Sequence, residues 1–182
     1  MAVIRISGYP GSGKTTLSKR LSEFLGYGYY YTGGIFRDMA KEKNLSIEEF
    51  YKYISADPAA ERSVDDRQAE IMKTKDNILV EGRIAPFQAS PFQTINILLK
   101  VSSEEGARRQ LLRKENSHRS LGEMLSETEE RLKNEREHYR SLYGIPNHFD
   151  ETKFDIVADT TNLEPEAVFK EVQERLRQLL GT

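Results

Sequence analysis

The pattern Gly8-x4-Gly13-Lys14-Thr15 constrains this chain more than any other feature of its sequence. It follows the apolar run Val3–Ser7 and precedes leucines at helical spacing. A glycine-rich turn between a strand and a helix points backbone N–H groups and the positive end of the helix dipole at a phosphate. The pattern therefore predicts an α/β fold whose first strand leads into a phosphate-binding P-loop.

This loop is expected to bind ATP through a continuous run of residues: Gly8, Tyr9, Pro10, Gly11, Ser12, Gly13, Lys14, Thr15 and Thr16. In such a loop the lysine bridges the β- and γ-phosphates, and the hydroxyl after it binds Mg²⁺. Lys14 and Thr15 are the residues expected in these two roles. The competing interpretation, a strand-to-helix turn that binds nothing, is disfavoured because both flanking elements agree with the motif.

Short apolar runs alternate with longer helical patterns along the chain, as in a parallel α/β sheet. We expect one domain over residues 1–182 with the three-layer P-loop NTPase fold, in which helices cover both faces of a five-stranded parallel sheet. A helical insertion is predicted over 33–75, because three helical segments separate the second strand from the third. The five strands are predicted at Val3–Ser7, Tyr29–Thr32, Ile78–Glu81, Ile95–Lys100 and Asp155–Ala158.

Helix starts are predicted near residues 47, 58 and 103 by three capping signals. Ser46 with Glu49 and Ser102 with Glu105 have the spacing of a capping box, and Asp57-Pro58 is typical of an N-cap followed by a first-turn proline. These signals place helical structure on either side of the third strand.

Composition excludes several function classes. The chain has 27 basic and 29 acidic side chains, so no basic excess attracts nucleic acid or anionic lipid. It has no cysteine, and nothing near Met1 has the pattern of a secretory signal or membrane span. We expect a cytoplasmic, monomeric protein that acts on small molecules, with no nucleic-acid or membrane partner.

The run Ile78–Glu81 ends in Glu81-Gly82-Arg83 at the carboxyl edge of a predicted buried strand. Ligands of open parallel sheets bind at this edge. Arg83 is suited to clamp a phosphate, Gly82 to let a ligand approach the backbone, and Glu81 to orient a water bound to Mg²⁺. The alternative is that Glu81 and Arg83 pair with each other at the strand end.

Several motifs together resemble the archaeal-type cytidylate kinases among the nucleoside monophosphate kinases. The resemblance covers the phosphate loop, Thr32–Arg37, Asp66–Gln68, Glu81–Arg83, Tyr143–Ile145 and Phe154–Thr161. It implies transfer of a phosphoryl group from ATP to CMP, and also to dCMP, with Mg²⁺. It further implies a monophosphate-binding lobe over 33–75 and a lid over about 109–140.

The resemblance also implies roles for individual residues of the lobe. The acceptor phosphate is expected at Thr32, Gly33 and Arg37, with Phe36 beside them and Arg83 on the other side; Asp66, Arg67 and Gln68 are expected near the base. Independently of the family, two anionic nucleotides held together need permanent cations. An exposed helix charge remains the alternative for Arg37, Asp66 and Arg67.

Arginines cluster where the lid is expected, and they suit closure over the transferring phosphoryl group. Arg109 and Arg113 have the i, i+4 spacing of one helical face, and Arg131 is the candidate on a long helix over about 122–142. A solvated charged face is the alternative for each. The chain departs from the family pattern at Gly106, where an arginine is common, and also at His138 and Pro146.

Two alternatives to CMP phosphorylation stay open at this point. The acceptor is another nucleotide, such as UMP or AMP, or a small alcohol, for which Glu81 is the candidate base. Otherwise the chain is a regulator that binds ATP without turnover, which the presence of Arg37 and Arg83 disfavours.

Overall fold

Strands and helices alternate along the computed structural model, which describes residues 1–56, 58–116 and 118–181. The strands are β1 (Ala2–Gly8), β2 (Gly28–Tyr31), β3 (Ile78–Glu81), β4 (Gln93–Lys100) and β5 (Ile156–Asp159). The helices are α1 (Lys14–Leu25), α2 (Thr32–Glu42), α3 (Ile47–Ser55), α4 (Pro58–Thr74), α5 (Ser103–Leu111), α6 (Leu121–Tyr143) and α7 (Pro165–Leu180). All five predicted strands are confirmed, with ends shifted by one or two residues.

The five strands form one parallel sheet in the order β2-β3-β1-β4-β5. β1 is therefore central: the chain runs from β1 to β2 at one edge, returns to β3 beside β1, and then crosses to β4 on the other side of β1. This reversal of strand order opens a crevice at the carboxyl ends of the strands, where α/β proteins bind ligands. The phosphate loop follows β1 and lies at this crevice.

Neighbouring side chains of a strand point to opposite faces of the sheet. Both faces carry apolar side chains here, and helices cover both. Ile4 and Ile6 pack with Leu21 of α1 and Val172 of α7 in the larger core cluster. Val3 points the other way and packs in a cluster that contains Met72 of α4. The predicted three-layer arrangement is thereby confirmed.

The segment between β2 and β3 folds into α2, α3 and α4, as the sequence predicts, and has a core of its own. Its buried side chains are Ile35, Met39, Ala40, Phe50 and Val64. The capping box of Ser46 and Glu49 is present at the start of α3. Pro58 begins α4 as predicted, whereas the expected cap, Asp57, lies outside the described residues.

The chain around the start of the predicted lid differs in detail from what the sequence predicts. Ser102 caps α5 through its side chain, and a full capping box that the analysis missed joins Ser120 and Glu123 at the start of α6. The prediction that Arg109 and Arg113 share a helical face is wrong, because α5 ends at Leu111 and Arg113 lies beyond it.

Across residues 1–56, 58–116 and 118–181, none of the helices combines the length and the apolar character that spanning a membrane requires.

Candidate functional site

The phosphate loop is shaped by glycines with left-handed backbone conformations. Gly11 has φ 77° and Gly13 has φ 84°, a region that side chains with a Cβ rarely adopt. Gly13 is also the N-cap of α1, and no side chain caps the helix there. The first N–H groups of α1 are thus left for a ligand, as in other phosphate sites at helix N-termini.

Lys14 folds back over the loop. Its Nζ donates to the backbone carbonyls of Gly8 at 2.8 Å and Tyr9 at 2.9 Å. Burial, and then the positive charge of Arg83, hold the pKa of Lys14 well below its ordinary value. A phosphate in the loop would supply the negative charge that the lysine lacks.

Thr15 and Glu81 place a hydroxyl and a carboxylate side by side next to the loop. The Thr15 hydroxyl donates to one oxygen of Glu81 at 3.0 Å, and the Tyr29 hydroxyl donates to the other at 2.5 Å. Burial, and then the bond to Glu81, raise the pKa of Tyr29, which keeps this phenol a donor. A hydroxyl and a fixed carboxylate fit the oxygen ligands and bound waters that Mg²⁺ prefers.

Arg83 and Arg131 meet at the carboxylate of Glu135. The Nε of each arginine donates to a different oxygen of Glu135, both at 2.8 Å, and Arg83 also donates to the Gly8 carbonyl. The Glu135 side chain is only 16% exposed. Burial acts to raise the pKa of Glu135, but the charges and hydrogen bonds of the two arginines outweigh it, so the pKa lies below its usual value.

His148 lies beneath this cluster, buried against the rings of Tyr139 and Phe149. Its Nε2 is 3.8 Å from Glu135, beyond hydrogen-bond distance, and neither ring nitrogen has a hydrogen-bond partner among the described residues. Burial, and then the charge of Arg83, lower the pKa of His148 to about 4. The ring is therefore neutral at physiological pH.

A cavity of about 370 Å³ joins the loop to the arginine cluster. Thirteen of the residues around it are predicted site residues, among them Lys14, Thr15, Glu81 and Arg83. Thr32, Gly33, Gly82, Arg113 and Arg131 also line it. The structure thus brings together most of the predicted loop residues, both predicted magnesium residues and four of the predicted acceptor residues in one crevice.

A second cavity of about 480 Å³ lies on the other side of the loop. Arg109 lines it and donates to the carbonyls of Thr160 at 2.7 Å and Thr161 at 3.2 Å. The Thr160 hydroxyl donates in turn to the Ser12 carbonyl at 3.2 Å. The loop after β5 is therefore tied to both the phosphate loop and α5, and Arg113 borders the two cavities.

Besides Gln68, four predicted acceptor residues do not line these cavities. Phe36 packs edge-on against Phe50 within the lobe, and exposed Arg37 bonds the Tyr31 hydroxyl. Asp66 is exposed, and Arg67 pairs with Glu42 at 2.6 Å. Their roles in binding the acceptor stay predictions.

Gln68 has a clear structural place between the lobe and the sheet. It is 1% exposed, and its amide donates to the Thr32 hydroxyl at 3.2 Å. A Cβ at Gly82 would lie 2.7 Å from this amide, so Gly82 also makes room for Gln68. Gln68 therefore fixes the start of α2 at Thr32 against the end of β3.

The sequence analysis missed several residues that line the first cavity: Tyr31, Asp65, Gln110 and Tyr139. Tyr139 lies on the same side of α6 as Arg131 and Glu135. A signal for Asp65 exists in the sequence, because Asp65 precedes Gln68 by three residues and such residues share a helix face.

Comparison with known proteins gives three kinds of match. The sequence model of the AAA domain family matches residues 4–138 of this chain. The cytidylate kinase of Pyrococcus horikoshii is 37% identical over 180 residues, covering 97% of this chain and 89% of that protein. The cytidylate kinase of Pyrobaculum neutrophilum is 38% identical over 163 residues, covering 90% of this chain and 86% of that protein.

Solved structures share the fold at lower identity. Shikimate kinase from Bacteroides thetaiotaomicron superposes with a TM-score of 0.66 at 18% identity, covering 100% of this chain and 99% of that one. Shikimate kinase from Aquifex aeolicus has a TM-score of 0.57 at 24% identity, covering 100% of both chains. At these identities the likeness concerns the fold alone.

Proposed function

The chain belongs to the AAA domain family and to the cytidylate kinases, and on that premise we propose that it transfers the γ-phosphoryl group of ATP to CMP, and also to dCMP. The products are ADP and CDP or dCDP. As a member of these families it is an ATP-dependent phosphotransferase. The single observation that best supports the acceptor side is the convergence of Lys14, Arg83 and Arg131 on one cavity beside the Thr32–Gly33 turn.

The reaction needs positioning and charge neutralisation more than acid–base chemistry. An oxygen of the acceptor phosphate attacks the γ-phosphorus, and the bond from that phosphorus to the β,γ-bridging oxygen breaks. The attacking oxygen is already anionic at neutral pH, so no strong general base is required. Charge that spreads over the γ-phosphoryl oxygens must instead be met by cations, which Lys14 and Arg83 supply here.

Arg83 is suited to hold the acceptor phosphate from the sheet side. A guanidinium carries five N–H donors, so Arg83 can keep Glu135 and still bind a phosphate with two parallel bonds. Glu135 fixes the direction of that fork before substrate arrives, because it holds Arg83 and Arg131 at 2.8 Å each. Thr32, held by Gln68, provides the opposite wall.

Thr15 and Glu81 would hold Mg²⁺, Thr15 through its hydroxyl and Glu81 through a bound water. The ion supplies charge neutralisation on the ATP phosphates. Tyr29 supports this role, since its hydroxyl fixes the Glu81 carboxylate.

The second cavity is proposed to take the adenosine of ATP. Arg109 and Thr160 border it, and Arg113 lies between the two cavities. Residues 109–140 are proposed to act as a lid, with Arg113 and Arg131 approaching the γ-phosphoryl group on closure and excluding water. Residues 33–75 are the proposed monophosphate-binding lobe.

A coupled assay of ADP release with ATP and Mg²⁺ tests the proposal. The acceptors compared are CMP, dCMP, UMP, AMP, GMP and the alcohol shikimate, and one reaction contains no acceptor. We expect CMP and dCMP to give the highest kcat/KM. Turnover led by another acceptor would overturn the base assignment, and ATP binding without any acceptor-stimulated turnover would favour a regulator.

Arg83→Lys tests whether the Arg83 guanidinium binds the acceptor phosphate. The substitution leaves a positive charge beside the buried Glu135 carboxylate. The lysine keeps the positive charge but loses the fork, so we expect kcat/KM for CMP to fall about 100-fold while the KM for ATP changes little. Arg140→Lys is the matched control, because Arg140 is exposed on α6. Equal losses in both variants would refute the assigned role of Arg83.

The proposal retains the predictions of a cytoplasmic protein and of a monomer. Sedimentation equilibrium at micromolar concentration tests the oligomeric state, and a mass near 20.9 kDa is expected.

A further inference from the structure

Asp65 lines the first cavity, as the acidic residues Glu81 and Glu135 do, but unlike them it has no part in the proposed magnesium site or in the arginine cluster. It lies on α4 and lines the first cavity together with Thr32, Gly82 and Arg83. Gln68, three residues later on the same helix, faces the same way and bonds Thr32. Asp65 is thus on the lobe side of the cavity, next to the proposed acceptor site.

Two neighbours hold Asp65 in place. The Tyr143 hydroxyl, at the end of α6, donates to Asp65 Oδ2 at 2.9 Å, and the Gln88 side-chain amide donates to the Asp65 backbone carbonyl at 2.8 Å. Burial, and then the charge of Asp65, raise the pKa of Tyr143, so its hydroxyl remains a donor. Tyr143 therefore orients the Asp65 carboxylate, and Gln88 holds the backbone that carries it.

A fixed carboxylate restricts which part of the acceptor lies against it. Carboxylate and phosphate are both anionic, so Asp65 repels the phosphate and leaves it to Thr32 and Arg83. An ionised carboxylate only accepts hydrogen bonds, and its two oxygens accept about four. Its matching ligand group is therefore an uncharged N–H or O–H donor away from the phosphate.

We infer that Asp65 is a specificity-determining residue that accepts a hydrogen bond from the 4-amino group of cytosine and thereby selects CMP over UMP. The inference rests on the proposed function, because it concerns the acceptor base of that reaction. Cytosine carries a donor at position 4, whereas uracil carries a carbonyl oxygen there. A carboxylate that meets this oxygen is left without its partner, and such sites reject the analogue strongly.

Asp65→Asn tests the inference through the ratio of kcat/KM for CMP to kcat/KM for UMP. The asparagine oxygen is expected to accept the hydrogen bond from the Tyr143 hydroxyl. The amide N–H₂ then points toward the base. This N–H₂ donor cannot bond the cytosine amino group, which is also a donor, but it can bond the uracil carbonyl oxygen. We expect the CMP-to-UMP ratio to fall roughly 10- to 100-fold.

Two further variants separate base reading from structural effects. Tyr143→Phe removes the hydrogen bond from the Tyr143 hydroxyl but keeps the Asp65 carboxylate, so the ratio should stay within a few-fold of wild type. Glu70→Gln neutralises an exposed acid elsewhere on α4 and should leave the ratio unchanged. If Asp65→Asn and Tyr143→Phe lower stability and all activities equally, without changing the ratio, the inference is overturned.

The ribose offers the other uncharged donors, and dCMP distinguishes them. If Asp65 accepts from the 2′-hydroxyl, Asp65→Asn will change the CMP-to-dCMP ratio and leave the CMP-to-UMP ratio alone, which overturns base reading. A fall of the CMP-to-UMP ratio in Asp66→Asn but not in Asp65→Asn would overturn it too. Failure of the proposed function looks different, because the wild-type chain itself would not prefer CMP.

Discussion

Gly106 brings α5 into backbone contact with the phosphate loop. A Cβ at position 106 would lie 2.7 Å from the Pro10 carbonyl oxygen and 3.1 Å from a methyl group of Val101. A Cβ on Gly11 would in turn lie 2.2 Å from the Gly106 carbonyl oxygen. This contact leaves no room for a side chain at position 106.

Gly106→Ala is therefore expected to strain the loop, and its cost can be worked from two opposing effects. Alanine gains up to about 1 kcal/mol over glycine inside a helix. A methyl group forced against backbone at 2.7 Å costs about 1–3 kcal/mol by overpacking. The matched control is Gly122→Ala in α6, where a Cβ would meet nothing within 4 Å and only the gain remains.

Urea unfolding of the two variants measures the difference. We expect Gly122→Ala to equal or exceed wild type, and Gly106→Ala to be about 1–3 kcal/mol less stable than Gly122→Ala. Because Pro10 belongs to the loop, the KM for ATP should also rise in Gly106→Ala, whereas the KM for CMP should change less. If the two variants are equally stable and bind ATP equally, the backbone contact does not shape the loop.

Three further predictions test other parts of the structure. His148 has a pKa of about 4 against 6.5 ordinarily, so the unfolded chain takes up its proton first as the pH falls. The free energy of unfolding should therefore decrease between pH 6.5 and 4, by at most about 3 kcal/mol from this residue. His148→Leu should flatten that slope in urea titrations, whereas the same change at exposed His118 should not. Ser46→Ala should lower the free energy of unfolding by about 1 kcal/mol through loss of the α3 cap; an unchanged urea midpoint would contradict this. Arg109→Ala should raise the KM for ATP about 10-fold, whereas Arg108→Ala, at an exposed pair with Glu104, should leave it unchanged in the ADP-release assay.

The fold was largely predictable from local sequence. The Gly8–Thr15 pattern identified the loop, the apolar runs identified five strands, and Ser46 and Ser102 marked helix starts. These signals are short-range: a cap, a tight turn or a buried strand is encoded within a few neighbouring residues. The match over residues 4–138 agrees with that interpretation.

The surroundings of the lid arginines could not be predicted from local sequence. Arg109 and Arg113 have helical spacing in the sequence, but the helix ends at Leu111. Helix ends depend on what the last turn packs against, and local spacing does not record this. Arg131 is predictable from its place on a charged helix, but the role of its partner Glu135 is not. Glu135 also bonds Arg83, which is 52 positions away in sequence.

By itself, the sequence determined the chemistry of the phosphate loop, the order of the elements and the class of reaction. Only the tertiary structure decided which side chains share the cavity. It placed Asp65 and Tyr139 there, and it placed Asp66 and Arg67 on the surface. The physical reason is rotation: on a helix a step of one residue turns a side chain by about 100°, so neighbouring acids face different surroundings.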